Sequence, residues 1–398
     1  MKKLRICLII DDYLPDSIKI GAKMMHELAC EFQKRGHAVT VVTPSVKLDK
    51  TTEISHLDGI TVCRFKNGEI KISNKVKRAI NETFLSNRAW KSYKSYFQKN
   101  PHDLIVYYSP TIFWGTLVSR LKKLWEVRSY LILRDFFPQW TIDQGLIRKG
   151  SIIEKYFRYF EKKNYDAADT IGIMSLKNLN FFRSNYHTEK PLEILYNWAK
   201  NEPVKAESNY KEKMGLVEKI VYFYGGNIGH AQDTMSIVRL AKNMQNETEA
   251  YFVLLGAGDE EKLVKNAIDE EKLTNITLLP SVSQDEFKQM LAEFDVGLFT
   301  LHKDHKTHNF PGKLLGYMVQ ELPILGNINP GNDLKEIIDG AGAGLISISG
   351  DDETFLNNAL KLLDKDVRRE MGKKGNKLLQ NFFSLEAAAD KILESLKK

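Results

Sequence analysis

Four short segments of this 398-residue chain put glycine, lysine or a carboxylate where it could act on an anion or a hydroxyl. Gly225-Gly226-Asn227-Ile228-Gly229-His230-Ala231-Gln232 follows an apolar run and precedes a helical pattern. Such a loop can hold phosphate oxygens on backbone N–H groups. It lacks the Gly-Lys-Ser/Thr ending of a Walker A loop and is not a clean dinucleotide fingerprint. A second glycine turn, Gly256-Ala257-Gly258-Asp259, ends the next apolar run. His308-Asn309-Phe310-Pro311-Gly312-Lys313 leads into another helix, with Lys313 in its first turn. A lysine there opposes the helix dipole, and a bound anion would explain it. Arg134-Asp135-Phe136-Phe137-Pro138 follows a further run, and Asp135 is suited to orienting or deprotonating a hydroxyl. Taken singly, each segment also reads as a tight turn, a solvated lysine or a capping aspartate.

Their positions gain meaning from the elements around them. Apolar runs at 4–10, 38–42, 104–108, 129–133 and 170–174 alternate with helical segments, the first at 21–35. Strands apolar throughout and separated by helices predict a parallel sheet covered on both faces. The pattern restarts at 219–224, 250–255, 276–279, 296–300, 322–325 and 344–348. Two doubly wound α/β domains are therefore expected: 1–200, and 201–383 beyond a polar linker at 201–214 containing Pro203. A last amphipathic helix is expected within 384–398, capped by Ser384. Open α/β sheets bind ligands beyond the carboxyl ends of their strands, where all these segments stand. The loop Asp11-Asp12-Tyr13-Leu14-Pro15, with Gly21 opening a helix, is a fifth such place.

Charge divides the chain. Residues 1–200 carry 34 basic and 20 acidic side chains, and residues 201–398 carry 24 and 31, within a net charge of +7. A basic half suits an anionic partner. Lys71 to Lys99 holds eight basic residues against Glu82, interleaved with Ile80, Phe84, Trp90, Tyr93 and Phe97. This stretch is expected to lie on an anionic membrane surface, or to pack its apolar side on the sheet. No nucleic-acid module accompanies it, so no nucleic-acid partner is expected. Three cysteines, Cys7, Cys30 and Cys63, imply a reducing compartment rather than a disulfide framework. No segment reads as a signal peptide or a membrane span. His302, His305 and His308 read as a solvated loop, and no metal site is expected.

The order and spacing of several motifs resemble the GT-B glycosyltransferases. They are Asp12-Tyr13-x-Pro15 with Gly21, Tyr108-Ser109-Pro110-x-x-Phe113-x-Gly115, Arg134-Asp135-Phe136-Phe137-Pro138, Tyr224-x-Gly226-Asn227-Ile228-Gly229-x-Ala231-Gln232, Gly256-x-Gly258, and Pro311-Gly312-Lys313-Leu314-Leu315-x-Tyr317. The chain is similar to family 4 enzymes of bacterial O-antigen and capsule assembly, most of all to N-acetyl-L-fucosamine transferases. The resemblance implies two Rossmann-like domains facing across a cleft, with the C-terminal helix packed back on the first. It implies transfer of an N-acetylated 6-deoxyhexose from a UDP-sugar to an undecaprenyl-pyrophosphate-linked saccharide. No cofactor and no metal are implied, and the enzyme is expected to be cytoplasmic and peripheral on the inner face of the membrane.

The donor would meet Gly226, Asn227, Gly229, Gln232, Gly256, Gly258, Val282, Asn309, Gly312 and Lys313, with Gly21 facing its phosphates. The acceptor would meet Asp12, Tyr13, Ser109 and Arg134. Asp135 and Lys313 would be catalytic. The family usually carries a ribose-contacting Glu where Gly316 stands here, and a Lys or Arg where His230 and Gln232 stand. A UDP-sugar 2-epimerase and a non-catalytic scaffold of the same fold remain as alternatives.

Overall fold

The computed structural model describes residues 2–17, 19–70, 75–304 and 311–397. The chain divides into two compact units, residues 1–196 with 385–398, and residues 197–384. The division falls at Asn197, a few residues before the polar linker.

The first unit holds an eight-stranded sheet in the order β3-β4-β2-β1-β5-β6-β7-β8. Its strands are β1 (Arg5–Ile9), β2 (Ala38–Ser45), β3 (Thr52–Leu57), β4 (Ile60–Lys66), β5 (Leu104–Ser109), β6 (Arg128–Leu133), β7 (Thr170–Ile173) and β8 (Leu192–Ile194). All neighbours pair parallel except β3 with β4. The apolar runs become the central strands, buried on both faces by helices. The antiparallel hairpin β3–β4 was not expected. Asp58-Gly59 joins its strands with both residues at positive φ, 48° and 77°, the two-residue turn that matches the twist of a hairpin.

The region from Lys71 to Lys99 is not one basic amphipathic surface. Residues 71–74 lie outside the described residues. The rest forms two helices, Lys75–Thr83 and Leu85–Lys99. Leu85, Ala89, Tyr93 and Phe97 of the second are buried in the core of the first unit. The apolar side of that helix is therefore committed to the sheet, because ring burial there outweighs exposure at a surface. Ile80 and Phe84 stay exposed at the other end of the stretch.

The helix Leu385–Glu394 belongs to the first unit, where it packs on the helix Ile20–Lys34. Arg35 fastens it with an ion pair to Asp390 and a 3.0 Å hydrogen bond to the Glu386 carbonyl. The Ser384 hydroxyl donates to the Gln380 carbonyl at 2.9 Å.

The second unit holds a six-stranded parallel sheet, β11-β10-β9-β12-β13-β14. Its strands are β9 (Ile220–Gly225), β10 (Ala250–Leu255), β11 (Ile276–Leu279), β12 (Val296–Thr300), β13 (Ile324–Ile328) and β14 (Gly344–Ile348). The chain winds outward from β9 to β11, then returns to the other side of β9 with β12. That reversal opens a crevice between β9 and β12. The strand expected at 322–325 starts two residues later, because the Leu322 amide instead bonds the Tyr317 carbonyl and closes the preceding helix.

Candidate functional site

The reversal in the second unit gathers most of the expected donor residues. Gly226 to Gln232 follow β9, Gly256 and Gly258 follow β10, and Gly312 and Lys313 open the helix Gly312–Val319 after β12. Val282 follows β11 at the far edge of the sheet. Asn309 lies outside the described residues.

The loops interlock through missing side chains. Gly226 has φ +148°, and a Cβ there would lie 2.7 Å from Lys313 Nζ. A Cβ on Gly256 would lie 1.8 Å from the Gly226 carbonyl oxygen. A Cβ on Gly258 would lie 2.2 Å from the Ile228 oxygen. A side chain at Gly256 or Gly258 would force the loop backbones apart, whereas one at Gly226 would displace the Lys313 ammonium. Beyond the strands the ladder continues through Gly226 N–H to the Leu255 oxygen, 2.9 Å, and Ile228 N–H to the Ala257 oxygen, 3.0 Å. Asn227 Nδ2 donates to Gln232 Oε1 at 2.7 Å, and both side chains lie beside Gly229 with Asp259. The Thr300 hydroxyl holds the Gln232 carbonyl at 2.5 Å, which ties the loop to the end of β12.

Lys313 is the charged centre of this crevice. Its Nζ sits 3.8 Å from the centre of the Tyr224 ring and 5.9 Å from that of Phe299. Ring faces attract the ammonium but do not replace its water. Part of the side chain reaches solvent, while its charged end is desolvated. That burial pulls the lysine pKa down to about 7. Tyr224 also donates its hydroxyl to the Asn227 carbonyl at 2.7 Å. One aromatic residue thus shapes the glycine loop and floors the lysine. Its role was missed because a tyrosine at the end of an apolar run reads as core. Phe287, against which a Cβ on Gly225 would clash at 2.2 Å, was missed because it stands in the polar helix Gln284–Glu293, distant in the chain.

In the first unit the expected acceptor residues stand at the carboxyl ends of three adjacent strands, β1, β5 and β6. Here too the winding reverses, between β1 and β5. Asp12 pairs with Lys19 at 2.9 Å. Tyr13 is buried, with its hydroxyl 2.8 Å from His26 Nδ1. Gly21 lies under the Tyr108 ring, and a Cβ there would touch its hydroxyl at 3.0 Å. Ser109 closes β5 with a buried hydroxyl that finds no partner among the described residues. Asp135 follows β6 and takes a 3.3 Å hydrogen bond from Trp140 Nε1. Burial raises its pKa above the usual carboxylate value. That is the direction suited to exchanging a proton near neutral pH. Arg134 is held by the fold through its two terminal nitrogens. Its terminal nitrogens donate to the Leu195 and Tyr196 carbonyls, and burial lowers its pKa to about 10.

The fold and the crevice define a class. Two Rossmann-like sheets, the second wholly parallel and the first parallel but for β3, with a glycine loop and helix start at the second sheet's reversal, make up the GT-B fold. Residues 207–378 match the family described as "Glycosyl transferases group 1". Over 221 residues the chain is 26% identical to a probable glycosyltransferase, WbjE, of Pseudomonas aeruginosa, covering 54% of each chain. Over 220 residues it is 21% identical to a putative colanic acid biosynthesis glycosyl transferase, WcaI, of Escherichia coli strain K12, covering 53% of this chain and 54% of that one. The chain thus spans about half the length of the curated relatives it matches. The Anabaena HepE structure in complex with UDP shares the fold with a TM-score of 0.67 at 12% identity, covering 99% of this chain and 100% of that one.

Proposed function

We propose that the protein is a glycosyltransferase of bacterial surface-polysaccharide assembly. Its donor is a UDP-sugar, an N-acetylated 6-deoxyhexose such as N-acetyl-L-fucosamine. Its acceptor is an undecaprenyl-pyrophosphate-linked saccharide. The observation that carries the reading is the Lys313 ammonium set against Gly226 over the Tyr224 ring. A desolvated lysine at a helix start beside a glycine loop is a receptacle for a diphosphate.

The chemistry follows from charge. When the C–O bond from sugar to diphosphate breaks, negative charge grows on the departing UDP. Lys313 and the amide groups at the start of the helix Gly312–Val319 are aimed at that charge. Asp135 orients the acceptor hydroxyl or takes its proton. Tyr13 and Ser109, both buried, sit beneath the loops that the acceptor would approach, and Arg134 fixes the segment after β6. Asn227, Gly229, Gln232, Gly256 and Gly258 shape the nucleotide side. Gly316 removes the usual carboxylate for the ribose, and a Cβ there would press on Leu291 at 3.1 Å.

Membrane contact is proposed for the exposed residues of the first unit. Among the described residues no helix is long and apolar enough to cross a membrane. The helix Lys75–Thr83 contributes exposed Lys77, Arg78 and Ile80. Its end touches the helix Ile152–Ala167 through Thr83 and Tyr156. There Leu146, Ile152 and Ile153 are exposed beside Arg148, Lys149 and Lys155. Exposed aliphatic residues framed by cations suit an anionic lipid surface.

The test is calorimetry of the full chain with UDP, GDP, ADP and their sugars, followed by a transfer assay on lipid-linked acceptor. UDP-selective heat and acceptor-dependent transfer are expected. Silence with every nucleotide would leave the scaffold alternative. Free epimerised sugar without acceptor would identify the epimerase.

A further inference from the structure

A cluster of three unlike metal-binding side chains forms in the first unit. His26 and Cys30 stand four residues apart on the helix Ile20–Lys34, so they share one face. The turn between β3 and β4 brings Asp58 to that face. His26 Nε2 lies 2.9 Å from Asp58 Oδ2 and 3.5 Å from Cys30 Sγ, and the three donor atoms lie within 4.8 Å of one another. Bond lengths of about 2.1 Å to nitrogen or oxygen and about 2.3 Å to sulfur place tetrahedral zinc ligands about 3.4 to 3.6 Å apart. The His26–Cys30 spacing already has that value. Asp58 must draw back by a few tenths of an ångström, and its side chain is 69% exposed and able to do so.

The second ring nitrogen supports the same reading. His26 Nδ1 is 2.8 Å from the buried Tyr13 hydroxyl. With Nδ1–H donating to that oxygen, the Nε2 lone pair faces Cys30 and Asp58. Metal-binding histidines carry this kind of outer partner, which fixes tautomer and ring angle. A thiolate, an imidazole and a carboxylate suit a borderline divalent cation better than calcium or magnesium. The sequence signal was weak, since Asp58 is distant in the chain and the fold alone brings it near.

We propose that His26, Cys30 and Asp58 bind one divalent cation of the zinc class, with the fourth position open to solvent beside Asp58. Occupancy ties the helix Ile20–Lys34 to the β3–β4 turn. Through His26 it also fixes Tyr13 in the loop after β1.

The full chain, stripped with a chelator, is titrated with cobalt(II) and then with zinc(II) against a chromophoric chelator. Expected is one equivalent of cobalt, with strong visible bands of tetrahedral type and a thiolate charge-transfer band, both abolished by zinc. Cys7 and Cys63 are buried, so the thiolate band reports Cys30. Cys30→Ala removes that band. Asp58→Asn alters an exposed turn residue, keeps the fold, and weakens zinc binding at least tenfold. Tyr13→Phe keeps the stoichiometry and weakens binding about 10- to 100-fold, as outer-shell losses do. A six-coordinate cobalt spectrum without a thiolate band, or zinc affinity unchanged in both Cys30→Ala and Asp58→Asn, would overturn the assignment and leave a hydrogen-bonded His26–Asp58 pair.

Discussion

Lys313 makes donor binding depend on pH in a direction that can be worked out. With a pKa of about 7 in the free protein, it is about nine-tenths charged at pH 6 and about one-tenth charged at pH 8. A diphosphate beside it restores the charge by attraction, so the bound lysine has a higher pKa and binding takes up a proton. Affinity must then fall as pH rises through 7. Between pH 6 and pH 8 the fall is about tenfold, or ~1.4 kcal/mol. A UDP-sugar is the right ligand, because its esterified diphosphate does not titrate in this window. Calorimetry in buffers of different ionisation enthalpy counts the proton directly, and about 0.9 per mole is expected at pH 8. Lys313→Met should abolish the slope and the proton uptake, and should lower turnover by about 10²–10³. An affinity that stays flat from pH 6 to pH 8, or keeps its slope in Lys313→Met, would refute the assignment of this lysine to the diphosphate.

Gly226→Ala should hold its fold yet weaken UDP-sugar binding, since the new Cβ would lie 2.7 Å from Lys313 Nζ on strained backbone; thermal melting and calorimetry on the same sample separate the two effects. Asp135→Asn should leave UDP affinity unchanged and depress transfer to acceptor by about 10²-fold or more; near-normal transfer removes Asp135 from the chemistry. Ile152→Glu with Ile153→Glu should cut co-sedimentation with anionic vesicles, and added salt should weaken what the unaltered protein retains. Equal vesicle binding by both would place the membrane contact elsewhere.

The elements that sequence reading located well are those whose pattern has one physical cause. Val296–Thr300 and Ala250–Leu255 are apolar up to the closing Thr300 because they are covered on both faces, and their limits are legible to the residue. The hairpin β3–β4 has a weaker pattern, since β3 is a half-exposed edge strand. Its Asp58-Gly59 turn was the available signal. The aromatic stretch ending at Lys99 shows the opposite difficulty. Tyr93 and Phe97 fit a membrane face or a core equally well in one dimension, and only the sheet beneath them decides. In the site, glycine and lysine were legible by motif. Tyr224 stood in a motif too, but its role did not show, because its contact with Lys313 joins segments distant in the chain and its hold on Asn227 is hidden at a strand end.

The route of the chain has a consequence for how it is made. The first unit is built from residues 1–196 and 385–398, while the second is continuous from 197 to 384. Leu385, Ala388, Ala389, Ile392 and Leu393 are buried. On the ribosome, the first unit waits through the synthesis of the whole second unit for the helix that covers it. Its face along the helix Ile20–Lys34 stays bare for that time. The second unit can close as soon as it emerges. The part made first thus completes its core only after the second unit has been made, and until then the bare face lies on the more strongly basic half, where charge repulsion opposes aggregation.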